Sequence, residues 1–336
     1  MKITFFDVPK EEQPIFLELF AGMDVTLYEE RLTDNNIEKA IDADVISVFI
    51  SSVINKDIID FLPNLKFIAT RSTGFDHIDL DYCKSKGIQV SNVPAYGSHT
   101  VAEFAFGLLL SLSRKIFEAG RQLKEEGDFS IYPLQGFDLN GKTMGVVGTG
   151  KIGKNSIKIA KGFGMNVVAY DLYPDMAFAK ENDFAYKSLA EVLAESDAIT
   201  LHAPYTKENH HLINKENVLK MKKGVYLINT ARGELIDTDA LIFGLKEGII
   251  AGAGLDVMEG ERELKDEMEI LASEDKSGMV KDYKTLLEDR VLMEMPNVII
   301  TPHVAFYSKE AEMEIMKMSV ENVKGFISGK VQNLVK

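Results

Sequence analysis

The sequence predicts two doubly wound α/β domains, and two observations carry that reading. Short apolar segments alternate with helix-period segments from Ile3 to Ser91, and a second such series starts at Thr143. The glycine fingerprint Gly148-x-Gly150-x-x-Gly153 follows the first series, although such a turn commonly opens a nucleotide-binding domain at the start of a chain. Its late position implies a second domain, and a cleft where a cofactor could meet a substrate.

In the first series, strands are expected at Ile3–Phe6, Val25–Tyr28, Val45–Ile50, Leu65–Ala69 and Ile88–Ser91. Helices are expected at Glu11–Phe20, with Ile15, Phe16, Leu19 and Phe20 on one face, and at Asn36–Ile41, Ile58–Leu62 and Leu80–Lys86. Pro63 stops the third of these and Gly87 closes the fourth. A long helix is then expected from about Thr100 to Arg121, with Thr100 and Glu103 as a capping box. Its wide apolar surface, Val101, Phe104, Ala105, Leu108, Leu109 and Leu112, suits either a core or a subunit interface.

The second series places strands at Met144–Val147, Val167–Tyr170, Ala198–Leu201, Val225–Asn229, Ala251–Leu255 and Val298–Thr301. Helices fall between them, including Ile152–Lys161, Ser188–Ala194 with a Ser188/Glu191 capping box, and one capped by Asp237 that runs to Lys246. The tail from Lys309 to Ser328 has helical spacing, and Glu259 to Asp289 reads as an acid-rich, solvated excursion.

Composition narrows the function classes. At 336 residues, either domain could bury its own core. The hydrophobic fraction is 46% and the charged fraction 27%, as in an ordinary soluble protein. A formal net charge of -14 argues against nucleic acid or an anionic membrane as partner. The single cysteine, Cys83, allows no intramolecular disulfide and no thiolate metal cluster, and no metal site is expected. The start of the chain does not read as a signal peptide and no apolar run has the length of a membrane span, so a cytoplasmic protein is expected.

Four constellations could do chemistry. In the glycine turn, Gly148, Thr149, Gly150, Lys151, Ile152 and Gly153 could cradle a pyrophosphate at a helix N-terminus. Asp171, ending the next strand, could accept hydrogen bonds from ribose hydroxyls and repel a 2′-phosphate, which favours NAD over NADP. Arg232, in Asn229-Thr230-Ala231-Arg232-Gly233, follows a strand and could grip a carboxylate or form a surface ion pair. Gly254 to Glu261 puts Asp256, Glu259 and Glu261 in one loop, where most carboxylates would simply be solvated.

His303, in Thr301-Pro302-His303, follows the last strand and is the leading candidate acid and base, with His202 after another strand as its competitor. His77 and His99 lie in turn or helix-start contexts, and His210 and His211 look solvated.

These blocks resemble the D-2-hydroxyacid dehydrogenase family, most closely its NAD-dependent D-lactate branch, over nearly the whole chain. The resemblance rests on Arg71-Ser72-Thr73-Gly74-Phe75-Asp76-His77-Ile78-Asp79, Val93-Pro94-Ala95-Tyr96, Val101-Ala102-Glu103, the glycine fingerprint, Leu201-His202-Ala203-Pro204, Asn229 to Gly233, Leu255-Asp256-Val257, Glu261 and Thr301-Pro302-His303. Phe306-Tyr307 and the excursion after Asp256 resemble the lactate branch in particular.

The resemblance implies a Rossmann-type cofactor domain, residues 99–301, inserted into a flavodoxin-like substrate domain of residues 1–98 and 302–336. It implies a hinge between them and a homodimer through the Thr100–Arg121 region. It implies that Arg232 binds the substrate carboxylate and polarises the keto oxygen, that His303 donates a proton to that oxygen as NADH delivers hydride, and that Glu261 keeps the imidazole protonated. Thr73, Gly74, Tyr96 and Phe306 would contact substrate, with Thr73 standing where relatives often carry an apolar residue. His202, Pro204, Thr230, Ala231 and Asp256 would join the glycine turn and Asp171 around NAD.

The expected reaction is the reversible reduction of pyruvate to D-lactate. The alternatives are the same chemistry on a bulkier 2-oxo acid, such as 2-oxoisocaproate or phenylpyruvate, and an NAD-sensing regulator of the same fold.

Overall fold

The structure is a computed structural model that describes residues 1–94, 96–132, 134–261 and 283–335. These form two compact units, Met1–Tyr96 with Ser308–Lys336, and Gly97–Tyr307. The second crossing between units falls at Tyr307/Ser308, six residues beyond the sequence expectation, so His303 to Tyr307 belong to the unit that carries the glycine fingerprint.

The first unit has strands β1 (Lys2–Phe5), β2 (Asp24–Leu27), β3 (Val45–Val48), β4 (Phe67–Thr70) and β5 (Gln89–Ser91). They pair in the order β2-β1-β3-β4-β5, all parallel, which is the flavodoxin-like doubly wound order. β3 and β4 are buried at every residue, as central parallel strands covered on both faces must be. One face packs Phe6, Ile46, Ile58 and Ile68. The other packs Ile3, Phe5, Phe16, Phe20 and Phe67 with Val320 and Val323 of the tail helix Lys309–Ile327, and the Phe67 and Phe326 rings stack at 4.5 Å. The tail buries its apolar stripe against this sheet, and each such side chain buried contributes roughly 1.5–3 kcal/mol.

The second unit has strands β6 (Thr143–Val147), β7 (Asn166–Tyr170), β8 (Ala185–Tyr186), β9 (Ala198–Leu201), β10 (Val225–Asn229), β11 (Ile250–Leu255) and β12 (Val298–Ile300). Their order, β12-β11-β10-β9-β6-β7-β8, is all parallel and reverses direction between β6 and β9. That reversal is the Rossmann switch point, where ligands of open α/β sheets bind outside the carboxyl ends of the strands.

Several expectations need correcting. The long helix is broken: it runs Ser98–Ser113, Lys115 turns left-handed at φ 51°, and Ile116–Arg121 resumes before a π-helical turn at Gln122–Glu126. Thr100 is no cap, since the helix starts at Ser98 with Gly97 as N-cap and Thr100 lies inside its first turn. The Ser188/Glu191 capping box and the Asp237 cap are present. Strand β8, at two residues, is too short to show any periodicity. Most of the excursion expected over Glu259–Asp289 lies outside the described residues, which resume in the helix Tyr283–Glu294.

Candidate active site

Each glycine of the fingerprint has a separate physical task. Gly148 has φ 88°, and a side chain there would lie 2.5 Å from the Ala203 nitrogen, so the turns after β6 and β9 touch at the switch point. A Cβ on Gly153 would lie 2.0 Å from the Gly148 carbonyl oxygen, which explains the close seating of the helix Lys151–Gly162 on its turn. A Cβ on Gly150 would meet nothing within 4 Å. The backbone is thus open at the helix N-terminus, where amide donors and the helix dipole favour phosphate.

Thr149 stands between, and Lys151 and Ile152 begin the helix. Asp171, just past β7, accepts from the Thr149 amide at 2.5 Å, the Thr149 hydroxyl at 2.9 Å and the Tyr173 amide at 2.8 Å. Its carboxylate is therefore held beside the glycine turn. Pro204 lies in the loop after β9, its carbonyl accepting from Asn209 at 2.7 Å. Thr230 Oγ1 is buried with no hydrogen-bond partner among the described residues, as a ligand-contacting hydroxyl would be in a chain without its ligand. This cradle fits a dinucleotide.

Arg232, Glu261 and His303 follow the adjacent strands β10, β11 and β12. Register pairs Asn229 with Leu255 and Leu255 with Ile300, so the three strands end level. The backbone then knots the three loops. Asn229, fully buried, accepts from the Ala231 amide at 3.0 Å and donates to the Arg232 carbonyl at 2.8 Å, which shapes the turn presenting Arg232. The Arg232 guanidinium donates to the Ala231 carbonyl at 2.7 Å. A Cβ on Gly233 would lie 2.1 Å from the Met258 carbonyl, so only glycine lets the Arg232 loop press on the loop carrying Glu261.

Asp256 ties the third loop. Its carboxylate accepts from the Thr301 hydroxyl at 2.6 Å and from the Val304 and Ala305 amides at 2.9 and 2.8 Å. It is 1% exposed, not solvated, and burial pushes its pKa up against those hydrogen bonds. The His303 amide donates to the Asp256 carbonyl at 2.9 Å, and His303 adopts φ 57°. This strained conformation aims the ring at Glu261, whose two oxygens each lie 3.0 Å from Nδ1.

The pair lines a cleft of about 900 Å³ with Phe104, Gly107, Leu108, Met258 and Ile299. A carboxylate on Nδ1 fixes the imidazole so that Nε2 is the atom able to exchange a proton with a ligand.

His202 is no rival acid. Its Nε2 lies 2.8 Å from Ser156 Oγ and 3.1 Å from Thr200 Oγ1, its Nδ1 is buried without a partner among the described residues, and burial pushes its pKa down to about 3. Ser156 and Thr200 carried no sequence signal, because they meet His202 only through the fold. His77 is also structural, 3% exposed with Thr70 Oγ1 at 3.1 Å. His211 corrects the solvated reading too, since its Nε2 lies 2.6 Å from Glu259. Burial pushes the Cys83 thiol up to about 11, an inert side chain at neutral pH.

In the first unit, Thr73 and Gly74 sit in the loop after β4. The Thr73 hydroxyl donates to the Val93 carbonyl at 2.8 Å and the Thr73 carbonyl accepts from Asn92 at 2.7 Å. Ser72 donates to the Gly74 carbonyl at 2.6 Å. Tyr96 is half-buried. In the second unit, the Phe306 ring meets Tyr307 edge-on at 5.9 Å. No helix among the described residues is long and apolar enough to cross a membrane.

Residues 106–305 match the family described as D-isomer specific 2-hydroxyacid dehydrogenase, NAD binding domain. An aromatic 2-oxoacid reductase of Clostridium sporogenes is 39% identical over 97% of this chain and 96% of its own length. The D-lactate dehydrogenase of Escherichia coli is 37% identical over 92% of this chain and 91% of its own. The solved structure of D-lactate dehydrogenase from Aquifex aeolicus, complexed with NAD and lactic acid, superposes with a TM-score of 0.88 at 39% identity, covering 99% of both chains. With level strand ends, a dinucleotide cradle and these relatives in agreement, the chain belongs to the NAD-dependent D-isomer specific 2-hydroxyacid dehydrogenases.

Proposed function

We propose that the protein reversibly reduces pyruvate to D-lactate. The observation that carries the residue roles is the His303–Glu261 pair, held at the carboxyl end of β12 beside the loop that presents Arg232. Bound NADH supplies the hydride. Arg232 binds the substrate carboxylate and polarises the keto oxygen, a task suited to a planar cation with parallel donors. His303 gives its Nε2 proton to that oxygen as charge develops there, and takes it back in the reverse direction. Glu261 orients the ring and stabilises the imidazolium. Thr73, Gly74, Tyr96 and Phe306 contact substrate. Gly148 to Gly153, Asp171, His202, Pro204, Thr230, Ala231 and Asp256 contact or shape the NAD site.

The second reading, a bulkier or aromatic 2-oxo acid, is favoured by the Clostridium sporogenes relative. NADH oxidation measured across pyruvate, 2-oxoisocaproate and phenylpyruvate, with product chirality determined, separates the two. Turnover is expected on pyruvate with a D product. Higher kcat/KM on phenylpyruvate would select the second reading, and an L product would sink both.

The proposal includes a homodimer. Phe129, Ile131 and Tyr132 are 85%, 84% and 88% exposed, in the segment that follows the broken helix. These exposed apolar side chains follow the Thr100–Arg121 region expected to pair two subunits, and they support a second copy of this chain as the occupant proposed there. Light scattering of a Phe129→Ser, Ile131→Ser, Tyr132→Ser variant is expected to give a monomer where the parent gives a dimer. Equal masses for the two would remove the interface.

A further inference from the structure

A second cluster of ligand-type side chains lies apart from the groups assigned above: His210, His211 and Glu259. One candidate ligand atom from each lies within 4.8 Å of the other two. Neighbours in sequence rarely present both rings together, but His211 adopts φ 53°, and its imidazole stacks on that of His210 at 3.8 Å and 24°. His211 Nε2 is 2.6 Å from one Glu259 oxygen, while the other oxygen accepts from the Thr238 hydroxyl at 3.1 Å. Tyr205 Oη lies 3.4 Å from His210 Nδ1.

An ordinary ion pair needs one imidazole. Here a second is stacked beside the carboxylate, and both the carboxylate and the outer imidazole have a hydroxyl to orient them, as metal ligands commonly do.

We propose that His210, His211 and Glu259 bind a divalent transition metal of the zinc and nickel class, with water completing the coordination. Two imidazoles and one carboxylate are the donor set of such ions, and the two nitrogen ligands disfavour magnesium or calcium, which take oxygen. Bonds of about 2.0–2.1 Å in a tetrahedron separate ligand atoms by roughly 3.3 Å, so His211 and Glu259 open by less than an ångström, and the exposed His210 ring turns out of its stack to aim a nitrogen at the same ion.

The site also joins two loops. The His211 amide donates to the Glu234 carbonyl at 2.9 Å, just past Arg232, and Glu259 belongs to the segment that carries Glu261. An ion here staples the chain after β9 to the chain after β11, and stabilises the native state by mass action.

The test is titration of the metal-stripped full chain with Zn²⁺ alone by calorimetry near neutral pH, with thermal unfolding in parallel. One Zn²⁺ per chain and a raised Tm are expected. His210→Ala removes an exposed ligand without touching the core, and Glu259→Gln keeps the shape but not the charge. Each should weaken Zn²⁺ by about tenfold or more and abolish the rise in Tm. Absence of binding heat in the parent chain, or equal affinity in both variants, overturns the site.

Discussion

The loops after β9 and β12 both carry a histidine at the carboxyl end of a parallel strand, yet the fold gives the two residues opposite characters. His202 is enclosed between Ser156 and Thr200, two hydroxyls without charge, and burial holds it neutral. His303 has both Glu261 oxygens at 3.0 Å and lines a cleft. Position at a strand end is therefore not what makes an acid. The partner on the second ring nitrogen decides it, and that partner arrives from a different strand.

Four substitutions sharpen or break this comparison. His303→Ala should cost about 10²–10⁴-fold in turnover, the usual contribution of a positioned acid, while NADH binding followed by fluorescence persists. A near-parental rate would move the acid elsewhere. Glu261→Gln removes one charge-assisted hydrogen bond worth about 1.5–3 kcal/mol, or roughly 10–100-fold in kcat. A parental kcat would deny Glu261 its role on the His303 ring. Asp171→Ala should weaken NAD about tenfold and relax discrimination against NADP, which competition between the two cofactors reads directly. Unchanged preference would count against a ribose contact.

His202→Gln should change turnover least and pH-dependent stability most. The imidazole, with an ordinary pKa of 6.5, is held down to about 3 in the fold. Its neutral form stabilises fully above pH 6.5, and that stability is lost as pH falls from there toward about 3, at up to about 1.4 kcal/mol per pH unit. The variant's stability should decline less steeply over that window, as measured by denaturant unfolding at stepped pH. Identical slopes would mean that the ring is not buried as described.

Local signals were legible in the sequence and distant ones were not. Apart from the two-residue β8, the strands of both sheets, the Asp237 cap and the glycine turn each announce themselves within a dozen residues. The break at Lys115 is silent, because a lysine in the left-handed region carries no glycine or asparagine to mark it. The union of His211 with Glu259 spans 48 residues, and that of Asp256 with Ala305 spans 49. Pairing at such separations is decided by sheet register, which a reading along the chain does not contain.

β12 has three residues, each half-buried, and among the described residues it sits at the margin of its sheet with β11 as its one strand neighbour. Margins of this kind open by local fluctuation at lower free energy than central strands. The residue assigned to proton transfer is therefore mounted just past an edge strand, fastened there by the bonds of Thr301, Val304 and Ala305 to Asp256. On warming, activity should fade while most of the backbone amides of β6, β9 and β10 still resist hydrogen exchange. The working lifetime of the enzyme would then be set by the detachment of one short segment rather than by the melting of the chain.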